Sequence, residues 1–237
     1  MTKNILYTTL FIFATQILPA NAQTGQKTYI RYESETRGYT ELVTSYTAVR
    51  SRMISDIQKG HVAGWKVWVD NGVNKKHSLY LWLQSEIEWQ QGRKEDAYIT
   101  AISALMLTRT ELNACAISSK SKEKMERDIM LAHQAVVDFV PRKAVIRHSI
   151  LKGGAFLDSL SNSNFKTSGQ SCYRAAYLAG KQPIDMTRWS VSMSASSFKR
   201  VAEDTKEKMG YYRLLKTTTI DEDLNRNTLK NNFKIIP

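Results

Sequence analysis

The amino-acid sequence predicts an all-α fold, built as an irregular array of about seven helices. Apolar residues recur at intervals of three and four in several long segments, which is the spacing of one helical face. Only one short segment alternates in the manner of a β-strand. The chain has 237 residues, of which 42% are hydrophobic and 24% are charged, and this composition suits a globular domain.

The first 22 residues have the pattern of a secretory signal peptide. Lys3 supplies a positive charge, residues 5–18 form an apolar run, and Ala20-Asn21-Ala22 is a small-residue cleavage site. The run is too short and too polar in places to span a membrane. We expect cleavage after Ala22, and the lack of an Asn-x-Ser/Thr sequon favours a bacterial envelope, hence a periplasmic or secreted protein.

The mature chain is expected to begin with a polar leader at residues 23–37, followed by a helical domain at 38–216. The first helix should run from an N-cap at Thr40 to a stop at Gly60. One face of that helix carries its large apolar side chains, namely Leu42, Tyr46, Val49, Met53 and Ile57.

The segment after Gly60 is the one that alternates. Trp65, Val67 and Val69 precede Asp70-Asn71-Gly72, which is a hairpin signal, but the residues that follow make a poor second strand. We therefore predict a short helix or turn that ends at Gly72, with a brief β-ribbon as the alternative.

Residues 78–91 and 94–109 form the best-defined helical pair. Their sequence LYLWLQSEIEWQQGRKEDAYITAISAL resembles a tetratricopeptide-repeat (TPR) hairpin over about 34 residues, 78–111. Small residues at the matching positions are Ser85, Gly92, Ala97 and Ala104. The resemblance implies a tight turn at the glycine and close helix packing at the other three positions. Because no second copy in this register is visible, we expect an irregular array and not a regular repeat stack.

Four further helical segments follow. They are an amphipathic helix at 121–140 that ends before Pro141, a helix at 144–160 weakened by Gly153-Gly154, a helix around Cys172 after a loop at 161–169, and a helix at 197–216. Residues 217–237 are expected to form a polar tail.

The two cysteines are Cys115 and Cys172. In an oxidising compartment we expect them to form one disulfide, which closes a loop of about 57 residues. The alternative is a reactive thiol at Cys172, although no histidine stands near it in a recognised motif.

The charge is uneven. Lys and Arg total 34 against 22 Asp and Glu, a formal net charge of +12, and residues 142–181 contain seven basic residues and one acid. This segment predicts a cationic surface built from Arg142, Lys143, Arg147, Lys152 and Arg174. It suits an acidic protein or an anionic lipid surface better than nucleic acid, for which no recognised motif is present. A solvated basic face without a ligand is the alternative.

Four tryptophans, Trp65, Trp68, Trp82 and Trp89, fall within twenty-five residues. They form either a core cluster or an exposed aromatic groove that grips a peptide. Glu86 and Glu88, which stand beside two of them, raise the alternative of a cell-wall hydrolase, but residues two apart on a helix point in different directions.

The sequence contains no glycine-rich phosphate loop, no GxSxG or HExxH motif and no His/Cys cluster at metal spacing. We therefore expect no cofactor and no metal. The leading hypothesis is an exported, non-catalytic protein-binding or assembly factor of the bacterial envelope, for example an accessory of a secretion, pilus or conjugation apparatus. The alternatives are the cell-wall-acting enzyme and a cationic effector that binds anionic lipid or nucleic acid.

Overall fold

The computed structural model describes residues 41–74, 77–115, 117–161, 170–180 and 195–216, and these residues contain helices and no strand. The all-α prediction is therefore confirmed for them. Nine helices are labelled within the described residues, which also contain short helical segments at 41–44 and 211–216. In chain order they are α1 (Tyr46–Gln58), α2 (Val62–Asn74), α3 (Ser78–Gln90), α4 (Lys94–Ala114), α5 (Ser119–Ala132), α6 (Gln134–Val137), α7 (Lys143–Ser161), α8 (Gln170–Leu178) and α9 (Ala195–Lys208).

The signal peptide at 1–22, the leader at 23–37, the N-cap at Thr40, the loop at 162–169 and the tail at 217–237 lie outside the described residues. Within the described part of the chain, no helix has the length and apolar character needed to cross a membrane.

The longest helix, α4, lies at the centre of the array. It has 21 residues and packs chiefly against α3, α7 and α9, with further contacts to α5, α6 and α8. Its neighbour α3 is buried from Ser78 to Leu83 and again from Ser85 to Glu88. A helix that is buried on nearly every side needs neighbours all round, so α3 and α4 together form the core that the other helices cover.

The turn between α3 and α4 is closed by Gly92, whose φ of +77° is a conformation that side chains rarely adopt. Ser85, Ala97 and Ala104 are all fully buried where the two helices pack. The four small residues that carry the TPR resemblance therefore lie at the turn and in the interior of a closely packed hairpin.

The helix predicted from Thr40 to Gly60 is interrupted at Ser45, but its apolar face is buried as predicted at Leu42 in the segment 41–44 and at Tyr46, Val49 and Met53 on α1. The helix predicted after Gly60 is present as α2, and the alternative β-ribbon is wrong. The helix continues to Asn74, two positions past the predicted stop at Gly72. Gly72 serves packing instead: an added Cβ there would lie 2.1 Å from the ring of Tyr80 on α3.

The single helix predicted at 121–140 is wrong. Helix α5 starts after an N-cap at Ser118, whose side chain accepts a hydrogen bond from the Ser121 amide, and it ends at Ala132. His133 separates it from the short helix α6. Val136 on α6 is still buried, but the helix ends at Val137, so Val140 lies beyond it and is 85% exposed.

Gly153 and Gly154 do not weaken α7, which is continuous from Lys143 to Ser161. Both glycines lie at close contacts between helices. An added Cβ would be 2.6 Å from Met106 Sδ at position 153 and 2.2 Å from the Tyr211 ring at position 154. The pair therefore allows α7 to pack against α4 and against the segment that follows α9.

The predicted disulfide is confirmed: Cys115, at the end of α4, is bonded to Cys172 on α8. The helix predicted at 197–216 is divided instead, because Gly210, with φ of +76°, separates α9 from a short helical segment at 211–216.

We predict that Gly154→Ala lowers the free energy of unfolding, because overpacking costs ~1–3 kcal/mol and outweighs the helix-propensity gain of ~1 kcal/mol. In a Tyr211→Ala background, where the ring is absent, the same substitution should be neutral or stabilising. Chemical denaturation of the four proteins measures this cycle. A higher stability of Gly154→Ala in the parent protein would show that the contact with Tyr211 does not constrain the helix.

Reduction of the disulfide should lower the melting temperature and leave most of the helical circular dichroism intact. The loop it closes spans 57 positions, for which the chain-entropy model gives roughly 4 kcal/mol. Superimposable melting curves with and without reductant would contradict a stabilising bridge, and Cys115→Ser/Cys172→Ser is the matched control for side effects of the reductant.

Candidate functional site

A buried carboxylate, Glu86 on α3, lies at the centre of a polar cluster. It accepts hydrogen bonds from Arg50 Nε at 2.9 Å and Gln90 Nε2 at 2.8 Å, and Arg50 Nη2 lies 2.6 Å away. Only 1% of Glu86 is exposed. A buried charge is costly unless it is paired and hydrogen-bonded, so these contacts fasten α1 to α3.

His133 completes this cluster from the break between α5 and α6. Its Nε2 lies 2.7 Å from the hydroxyl of Tyr46, and its Nδ1 lies 3.4 Å from Glu86 Oε2. The chemistry of these neighbours places the ring proton on Nδ1, toward the carboxylate, so that Nε2 accepts from Tyr46. At 3.4 Å the contact with Glu86 is electrostatic and not a well-formed hydrogen bond. We call Tyr46, Arg50, Glu86, Gln90 and His133 the Glu86 network.

Burial and pairing act on this network in opposite directions. Burial alone raises the pKa of Glu86, but His133, Gln90 and Arg50 together lower it to about 2. Burial lowers the pKa of His133, and the nearby carboxylate of Glu86 opposes that shift without cancelling it. At neutral pH the network therefore holds an ionised Glu86 beside a neutral imidazole.

Arg174 on α8 is a further buried charged residue, and it contacts Tyr46 of the Glu86 network. Its guanidinium lies 5.2 Å from the Tyr46 ring, forms an ion pair with Asp128 and donates to the Val43 carbonyl at 2.9 Å. Arg174 is 3% exposed. Its predicted place on the cationic surface is therefore wrong, because its charge is used inside the fold.

A second buried carboxylate, Glu111 on α4, lies where two helices begin. It accepts hydrogen bonds from the Ser78 hydroxyl at 2.6 Å and from the Ser171 amide at 3.1 Å. Ser78 is the first residue of α3 and Ser171 the second of α8, so the positive ends of both helix dipoles face this carboxylate. Glu111 and the neighbouring disulfide together fix α8 against α4.

Glu86 and Glu88 do not form a catalytic pair. Glu86 faces α1 and His133, whereas Glu88 faces the α3–α4 turn, with Arg93 Nη1 at 3.7 Å. Glu88 is also largely buried, and burial raises its pKa. A glycan would reach either carboxylate only if helices separated.

The tryptophans do not form one groove. Trp65 and Trp68 are buried and in contact with each other, with ring centroids 5.6 Å apart, and Trp82 is buried beside His133 at 5.0 Å. Trp89 is half-buried and packs edge-on against Phe139. The core interpretation therefore holds for three of the four.

The other residues of the predicted cationic surface lie just before α7 or on it. Lys143 and Lys152 are exposed and Arg147 is half-buried. Arg142 is exposed, and its Nε and Nη2 donate hydrogen bonds to the Glu95 carboxylate, at 3.0 and 2.9 Å. Of the five predicted residues, Arg142, Lys143, Arg147 and Lys152 therefore reach the surface, and the charge of Arg142 is paired with Glu95.

An open groove of about 500 Å³ lies on the outer side of α5 and α6. Its apolar lining consists of Met130, Leu131 and Val137, and its charged lining of Glu123, Glu126, Arg127 and Asp138. Leu131 is 62% exposed, and among the described residues only Val140, two positions beyond Asp138, is a more exposed large apolar side chain. We call this feature the α5–α6 groove.

Among the described residues, no group of three or more His, Cys, Asp or Glu side chains is arranged to hold a metal ion. Comparison of the chain with protein-family models, with curated proteins and with solved structures finds no match. The function must therefore be argued from the geometry.

Sequence reasoning missed both the Glu86 network and the α5–α6 groove. The available signal for the network was a glutamate in an otherwise apolar helix together with a histidine in an apolar stripe. The lining of the groove follows one helical face from Glu123 to Asp138, and because that face mixes charged and apolar residues it gives no distinct apolar signal.

The Glu86 network predicts a loss of stability in acid. Glu86 has a pKa of about 2 in the fold and an ordinary value of 4.5. The contribution of its ionised carboxylate to the free energy of unfolding is therefore complete above pH 4.5 and is lost as the pH falls toward 2. His133 acts in the same direction, since its pKa in the fold lies below 6.5 and the unfolded chain takes up the proton first.

Glu86→Gln should therefore lower stability at pH 7 by about 3 kcal/mol, the equivalent of the shift in the Glu86 pKa. It should also flatten the pH dependence between 4.5 and 2. Urea unfolding across pH checks this, with Glu123→Gln, an exposed carboxylate on α5, as the control. Parallel pH profiles for the parent and Glu86→Gln would count against an ionised buried Glu86.

Proposed function

We propose that this chain is an exported, non-catalytic helical protein that binds another protein of the bacterial envelope through the α5–α6 groove. The observation that carries the proposal is the placement of Leu131 and Val140. These two are the most exposed large apolar side chains of the described residues; Leu131 lines the groove, and Val140 follows the last lining residue, Asp138, by two positions. Exposed apolar area of this kind, edged by charge, is typical of protein-binding sites.

Export is supported by the signal-peptide pattern of residues 1–22 and by the disulfide, which is typical of proteins outside the cytoplasm. The TPR-like hairpin adds to the proposal, because its helices α3 and α4 form the rigid core against which α6 packs. The buried positions of Glu86 and Glu88 favour binding over glycan hydrolysis. An accessory role in a secretion, pilus or conjugation apparatus is the narrower form of the same proposal.

Site-specific photocrosslinking tests the proposal in the bacterium that makes the protein. With p-benzoyl-phenylalanine in place of Leu131, irradiation should yield a reproducible adduct with another envelope protein. The same photoreactive residue in place of Lys199, which is exposed on α9, is the matched control and should not give that adduct. No adduct from position 131, or the same adducts from both positions, would overturn the proposal.

A further inference from the structure

The α5–α6 groove differs in charge from the rest of the chain. The protein carries a formal net charge of +12, yet the groove is lined by three carboxylates and one arginine. Glu126 is paired with Arg109. Glu123 and Asp138 are exposed, and neither forms an ion pair with another described residue. An occupant that presents apolar side chains next to lysine or arginine would complement this lining.

The chain itself contains such a segment. Residues 226–237, with the sequence RNTLKNNFKIIP, carry three basic side chains and no acidic one. Four large apolar residues stand between and beside them, at positions 229, 233, 235 and 236. This twelve-residue segment therefore contains both the apolar and the basic side chains that would complement the groove.

The end of α9 lies close to the groove. Met209 follows α9, and its Sδ accepts from Arg109 Nη1 at 2.9 Å. Arg109 also binds Glu126, which lines the groove. From Lys216 to position 226, an extended chain can span roughly 30 Å. Because the segment belongs to the same chain, its binding would be intramolecular, which raises its effective concentration at the groove.

We propose that residues 226–237 bind in the α5–α6 groove of the free protein, with apolar side chains against Leu131 and with Lys230 and Lys234 beside Glu123 and Asp138. The inference deepens the proposed function, since it concerns regulation of the same groove: a partner gains access by displacing this segment. A second copy of the chain is the rival occupant.

Photocrosslinking of the purified full-length mature protein tests the inference without any partner present. With p-benzoyl-phenylalanine in place of Leu131, irradiation should give an intramolecular crosslink that peptide mass spectrometry maps to residues 226–237. The probe in place of Lys199 is the control and should not reach that segment. A crosslink mapped to any other segment, or a dimer whose yield rises with protein concentration, would overturn the inference.

Reversing the charges of Lys230 and Lys234 tests whether these two side chains hold the segment in the groove. Lys230→Glu/Lys234→Glu should reduce the intramolecular crosslink at least fivefold and, in cells, increase the adduct with the partner protein. Lys199→Glu/Arg200→Glu, which reverses two exposed charges on α9, is the matched control and should change neither yield. An unchanged intramolecular yield in Lys230→Glu/Lys234→Glu would contradict the charge pairing.

The two sets of results separate the inference from the proposed function. An intramolecular crosslink in the purified protein, with no partner adduct in cells even after charge reversal, supports the inference and overturns the proposed function. A partner adduct in cells, with no crosslink to residues 226–237 in the purified protein, supports the proposed function and overturns the inference.

Discussion

The burial of the Glu86 carboxylate is the constraint on which the arrangement of the helices depends. An ionised group in the interior needs partners whose donors point at it, and Glu86 draws these from α1, from its own helix α3 and from the α5–α6 junction. Removing one partner leaves a buried charge unpaired, so few other arrangements of the same helices are tolerable. Apolar contacts alone would allow the helices to slide, whereas this network fixes the position of α1 and of the α5–α6 junction relative to α3.

The residue that completes this network lies next to the proposed binding surface. His133 points inward to reach Glu86 and Tyr46, and α5 ends immediately before it. The buried stripe of Met125, Ile129 and Val136 continues across His133, whereas the helix ends at Val137 and Val140 beyond it is exposed. The outer side of the same two helices carries Leu131 and lines the groove. Helices α5 and α6 thus contribute His133 to the internal polar network and Leu131 to the proposed binding surface.

Sequence periodicity predicted those parts of the fold that depend on neighbouring residues. The buried face of α1 and the small residues at the α3–α4 turn follow from local spacing, and the disulfide follows from the compartment that the first 22 residues indicate. What escaped prediction depends on distant residues. Gly72, Gly153 and Gly154 look like helix breakers, yet each makes room for a side chain from another part of the chain. Arg50 and His133 are 36 and 47 positions away from Glu86, and no local pattern connects them.

The ionisation and tautomer of His133 report most directly on the buried network. Side-chain ¹⁵N NMR of histidine-labelled protein, assigned by replacing His61, His77 and His148 one at a time, measures both. We predict a neutral imidazole with its proton on Nδ1, which remains neutral as the pH is lowered through 6.5 while the protein stays folded. A His133 signal that takes up a proton with a midpoint of 6.5 or above, or that carries its proton on Nε2, would contradict a buried, neutral His133 that directs its Nδ1 proton toward Glu86.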